Sequence, residues 1–285
     1  MTPKRSSMCQ GVLLCAALLV SQQALAGRSC EAAKPPATQT VVRGLDLAER
    51  TLAALDASGQ QVVLLARAGQ DLGKYGVYYS HLGFAYQQPQ TTPDGQPGHV
   101  WRVLHKLNEC GTASASIYRQ GLGEFFLDDL WRFEAAWAAL TPEVQDRLLP
   151  MLLDANRDGR ASRALSMHHK PYSIVSYAWG LKYQQSNQWA TETLVMAMEP
   201  TITNRDQAQA WLKFKGYEPT ALRIGPVTRL GARATAANVA FDDHPNDKRF
   251  SDQIETVTVD SVFSWLPRAG LGAAPVTVRP TGSAP

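Results

Sequence analysis

Residues 62–69 read VVLLARAG, residues 78–86 read YYSHLGFAY and residues 99–107 read HVWRVLHKL. Each run is short and rich in β-branched or aromatic side chains. In the third, Trp101, Val103, His105 and Leu107 recur at every second position, the period of a strand with one covered face. Three such runs in succession predict a meander. The segment between the last two, QQPQTTPDGQPG at 87–98, is dense in turn formers and is expected to be a long loop or hairpin connection.

Helical patterns flank this block. After the Pro- and Ala-rich AAKPPATQT, Leu45, Ala48, Leu52 and Leu55 fall at helical spacing and Gly59 stands where a helix would end, so a helix of about 12 residues is expected. LDDLWRFEAAWAAL (127–140) has helical periodicity, with Trp131, Phe133 and Trp137 as its core residues. Thr141 and Pro142 then restart a helix as N-cap and first residue. HHKPYSIVSYAW (168–179) alternates Tyr172, Ile174, Ser176 and Ala178 and is expected to be a strand. A helix is expected from about Asn187 to Pro200. Another over DQAQAWLKFK carries a capping-box pattern at Asn204 and Gln207 and ends at Gly216. QIETVTVDSVFSWL (253–266) gives a strand and a helical turn. Strands in one run, then helices, then scattered strands define an α+β class, an antiparallel sheet meander packed with helices, and lack the βαβ rhythm of a doubly wound sheet.

Lys4 and Arg5 precede the apolar run GVLLCAALLV (11–20) and the small-residue site Ala24-Leu25-Ala26. This is the pattern of a secretory signal peptide, and the run is shorter than the roughly 20 apolar residues that span a bilayer. The expected organisation is a signal over 1–26 cleaved near Ala26/Gly27, one α+β domain over 27–266 and a disordered Pro/Gly/Ala tail over 267–285. The expected location is periplasmic or secreted, with no transmembrane segment after cleavage. Cleavage would remove two of 28 basic side chains and none of 25 acids, leaving 26 against 25 and a net charge of +1. That balance offers no basic face for nucleic acid. Of four cysteines, Cys30 and Cys110 would remain, and in an oxidising compartment two thiols suggest one disulfide between them.

The candidate chemistry is a trio. Ser186 opens the helix that begins SNQW, where free amides and the positive dipole end would favour developing negative charge. His81 on the second strand is the candidate base and His105 on the third its orienting partner. Each has a plainer reading: serine is a good helix N-cap, and a strand histidine is most often a satisfied core residue. DANRDGRASRAL (154–165) starts like a calcium loop but carries Leu165 where a bidentate Glu is needed, so a turn is expected. His168 and His169 are adjacent and would face opposite sides of a strand, so no metal site is assigned. GxGxxG, GxxxxGK and GxSxG motifs are absent from the sequence, which removes most support for nucleotide enzymes and α/β-hydrolases, and no cofactor is assigned.

With SHLGF as histidine strand and QSNQW where NCEHF-like helix starts occur, residues 60–200 resemble circularly permuted papain-like proteins, the group of lecithin retinol acyltransferase and NlpC-type relatives. That resemblance implies a papain-like architecture and amide or ester hydrolysis or acyl transfer, with serine where those enzymes use cysteine. The substrate would be a peptide, a cell-wall fragment or a lipid-like molecule, and loss of the thiol leaves open an inactive binding module. RAGQDL, YSHLGF, HKLNECG and SNQW together make the chain similar to a secreted bacterial family of uncharacterised proteins, domain of unknown function 2145, a likeness that implies kinship of fold and no activity.

Overall fold

A computed structural model describes residues 36–128, 130–154 and 162–280. The first helix, α1 (Thr38–Ser58), is longer than its apolar spacing predicts and begins inside the Pro/Ala stretch. Gly59 closes it in the left-handed conformation at φ 68°. Next come β1 (Val62–Ala68), β2 (His81–Thr91), β3 (Pro97–Asn108), β4 (Ala115–Gly121) and α2 (Leu122–Phe126). The turn-rich segment 87–98 mostly extends β2 and β3 into a long hairpin, and only residues 92–96 turn.

Residues 127–140 do not form the expected helix. Arg132–Ala139 is β5, paired antiparallel with β1 on one side. A strand covered on both faces shows no polar alternation, and alanines at 135, 136, 138 and 139 imitate a helical composition. Trp131, expected in a core, is 60 % exposed, whereas Trp137 is buried.

The chain continues through α3 (Pro142–Leu153), capped by the Thr141 hydroxyl as the sequence predicts, α4 (Ser186–Met198) and α5 (Arg205–Phe214), where Asn204 accepts from Gln207 N at 3.0 Å. Then follow β6 (Thr220–Arg223), α6 (Pro226–Thr235), α7 (Asn246–Phe250), β7 (Gln253–Thr256), α8 (Val259–Arg268) and β8 (Val276–Val278). Residues 168–179 form turns rather than a strand. Their polar groups bond irregularly to distant segments: Tyr172 N donates to Ala113 O at 2.7 Å, Ser173 Oγ to Ala240 O at 3.0 Å, and Asp243 Oδ2 accepts from Tyr177 N at 2.8 Å.

Part of the tail for which disorder was expected, residues 267–280, is structured: it holds the end of α8 and β8. β8 pairs with β5, and Arg279 Nε lies 2.7 Å from Glu134 Oε2. The signal segment, Cys30, residues 155–161 of the calcium-like loop and residues 281–285 lie outside the described residues.

The main sheet runs β4-β3-β2-β1-β5-β8, antiparallel throughout, and β6 and β7 form a separate hairpin. This is the mixed α+β class with the meander that the sequence predicts. Leu64, Phe84 and Leu104 on one face pack against α3, α4 and α8 through Leu148, Trp189 and Val262. Val63, Ala85 and Val103 on the other pack against α1 and α2 through Leu47, Leu55 and Phe125. With helices on both faces, β1 is buried along its whole length, which explains its unbroken apolar run. A smaller apolar cluster of Val77, Leu222, Ile224, Phe241 and Ile254 lies under β6 and β7. Among the described residues no helix is long and apolar enough to cross a membrane.

Candidate functional site

His81 is the first residue of β2 and faces the α1/α2 side of the sheet, its ring 6.0 Å from that of Phe125. Its Nε2 lies 2.8 Å from His105 Nδ1. The glycine of SHLGF makes this pairing possible, because a Cβ on Gly83 would fall 2.9 Å from His105 Cβ. The start of β2 is set by bonds to its main chain. Asp260 at the start of α8 accepts from Tyr78 N at 3.1 Å and Tyr79 N at 3.4 Å, and Ser80 Oγ accepts from Gly69 N at 2.9 Å.

Proton positions follow from the partners. Gln120 donates Nε2 to Glu124 Oε1 at 3.2 Å, so its Oε1 accepts from His105 Nε2 at 2.8 Å. His105 is wholly buried, and burial, followed by the nearby Arg67 guanidinium, lowers its pKa to about 3. It is therefore neutral at pH 7, with its proton on Nε2 and its lone pair on Nδ1. His81 must then donate from Nε2. Arg67, paired with His81 across β1 and β2, donates to Phe125 O and to Asp128 beside this relay.

Ser186 is the first residue of α4 and is 4 % exposed. It is not the cap: Gln185 is, its Oε1 accepting from Asn187 N at 3.1 Å. The Ser186 hydroxyl donates to Lys106 O on β3 at 2.7 Å. Asn187 Nδ2 donates to Val257 O at 3.1 Å. The turn before α4 is fixed by a buried polar group in which Glu192 accepts from Gln184 at 2.6 Å, Arg205 at 2.8 Å and Gln209 at 2.8 Å. Lys106 Nζ, also buried, donates to Gln184 Oε1 at 2.7 Å and His169 O at 2.6 Å.

A cavity of about 620 Å³ opens where β1 and β3 end and β2 begins, beside the start of α4, and both His81 and Ser186 line it. The trio is thus partly assembled. His81 and His105 are in contact, while Ser186 makes no hydrogen bond to His81 and spends its proton on main chain. A model of a family described as an uncharacterized protein conserved in bacteria (DUF2145) matches residues 54–266. The chain belongs to that family. The matched span of this DUF2145 protein holds both histidines, Ser186 and every element of the main sheet except β8. No curated protein and no solved structure matches the chain.

Sequence reading misses Gln120, Asp260 and Arg67. Gln120 lies on β4, whose SASIYRQG gives no strand alternation, and Asp260 bonds Tyr78 N and Tyr79 N, just before His81, from about 180 residues away. Gln185 and Asn187 carried a signal, since they flank Ser186 in QSNQW. His168 and His169 are on no strand: His169 Nε2 lies 3.0 Å from Lys182 O, and burial lowers the pKa of His168 to about 4. Cys110 sits in the turn after β3, and its expected partner lies outside the described residues.

Proposed function

We propose that this is an exported envelope protein of papain-like ancestry whose cavity binds a peptide, cell-wall or lipid-like ligand without turning it over. The carrying observation is the Ser186 hydroxyl, whose single proton goes to Lys106 O at 2.7 Å. A serine nucleophile has to hand that proton to its base, and a serine without a base is nearly inert. The amide of Asn187, which would stabilise an oxyanion, is taken by Gln185 Oε1. The cavity volume is in the range of small-molecule sites, roughly 300 to 1,000 Å³.

Export by the segment 1–26, with cleavage after Ala26, and a disulfide between Cys30 and Cys110 belong to the same proposal. They are supported by the Lys-Arg start, the apolar run and the two remaining cysteines. Ser186→Ala should leave ligand binding intact, and Ser186→Cys alone should give no hydrolysis of amides or esters. Turnover by the cysteine variant would refute the reading.

A second reading is supported by one observation, the relay through Gln120 and His105 that orients the His81 ring. In this reading the protein is a hydrolase or acyltransferase in which Ser186 leaves Lys106 O, attacks the carbonyl and passes its proton to His81, with His105 orienting the base. A covalent phosphonate adduct on Ser186 distinguishes the two.

A further inference from the structure

A surface helix ordinarily turns its apolar face to the core and its polar face to water. α6 is built the other way round. None of its ten residues is buried. Thr228 and Ala232, four positions apart, line the cavity together with Ala236 just past the helix end. On the same side Arg229 donates to Ile224 O at 2.5 Å and to Asp252 Oδ1 at 2.6 Å. With that side turned to the protein, helical geometry turns Val227, Leu230, Gly231 and Ala234 outward, at spacings of three, four and seven. All four are exposed, Val227 by 84 % and Leu230 by 74 %. The outward stripe carries no polar side chain.

Two observations point to what covers it. From residue 219 to residue 241 the sequence holds Arg223, Arg229 and Arg233 and no acidic side chain. Arg233 stands at the edge of the stripe with its side chain 53 % exposed, and Asp242, 3.7 Å away, is already bonded to Lys182 at 2.7 Å. The second is area. One short helical ridge with two large apolar side chains falls far below the roughly 800 Å² per partner of a stable protein interface, whereas a lipid interface accepts an apolar ridge flanked by cations.

We infer that α6 docks the protein on an anionic lipid surface, with Val227 and Leu230 entering the acyl boundary and Arg223 and Arg233 meeting the head-group phosphates. The apolar arm of the cavity, between Val77, Ile224 and Phe241, then lies directly behind the docked face. This goes beyond both readings of Ser186 and depends on neither.

Co-sedimentation of the full mature chain with lipid vesicles tests it. Binding to phosphatidylcholine vesicles containing phosphatidylglycerol should be about tenfold or more tighter than to phosphatidylcholine alone, and should weaken in high salt. The double variant Val227→Asp, Leu230→Asp should lose about tenfold or more of that affinity with an unchanged circular dichroism spectrum, since both side chains are exposed. Leu230→Trp should keep the affinity and show an added blue-shifted emission on vesicles. Absence of binding to the anionic vesicles, equal binding to both kinds, binding unchanged in the double variant, or an emission that does not shift would each overturn the inference. A mature chain that dimerises in sedimentation velocity, and that the double variant makes monomeric, would assign the stripe to a second copy and overturn it as well.

Discussion

His81 Nε2 and His105 Nδ1 stand 2.8 Å apart on neighbouring strands, and the residue that permits it is Gly83. Gly83→Ala would put a methyl group 2.9 Å from His105 Cβ and 3.1 Å from Leu104 O, in a strand with no room to move aside. Overpacking of this kind costs about 1 to 3 kcal/mol. Urea denaturation should show that loss, and the imidazole ¹⁵N shifts of His81 and His105 should report a broken contact. A variant as stable as the wild type with unchanged shifts would contradict the packing described.

His105 gives a pH signature. Its folded pKa is lowered to about 3, below the ordinary histidine value of about 6.5. Between those values the unfolded chain binds the proton and the folded chain does not, so stability is lost as pH falls through that window. His168, lowered to about 4 by burial, acts in the same direction. His105→Gln should therefore lose less stability than the wild type between pH 7 and pH 4, measured as urea midpoints. Parallel curves would show that His105 is protonated in the folded protein.

Lys106 acts in a higher window. Burial, followed by repulsion from Arg205, lowers its folded pKa to about 6, against 10.5 for an ordinary lysine. The unfolded chain binds the extra proton between those values, so stability contributed by this group rises with pH across them. Lys106→Met removes the rise. The wild type should gain stability relative to Lys106→Met between pH 7 and pH 9, whatever the level at which the two curves start.

How much of this was legible depends on which faces of each element are covered. The meander of β1 to β3 was readable because its runs are short, β-rich and separated by turn formers. β5 was not, because Arg132–Ala139 is packed on both sides and its alanines fit either period. Residues 168–179 alternate like a strand yet bond singly to the main chain and side chains of several distant segments. β8 is three residues long and exists through β5 and the Arg279–Glu134 pair. At the site, the His81–His105 pairing was foreseen as a possibility, since both lie on adjacent strands. The direction of the Ser186 hydroxyl was not, because it is fixed by the placement of α4 against the end of β3, 80 residues earlier in the chain.

On the binding reading, Ser186 is held out of reaction by its bond to Lys106 O. Incubating the mature protein with a fluorophosphonate probe and locating any adduct by peptide mass spectrometry tests it most directly. The binding reading predicts no adduct on Ser186, with ligand binding equal in wild type and Ser186→Ala. Stoichiometric labelling of Ser186 that disappears in Ser186→Ala would contradict it and establish the hydrolase reading in its place.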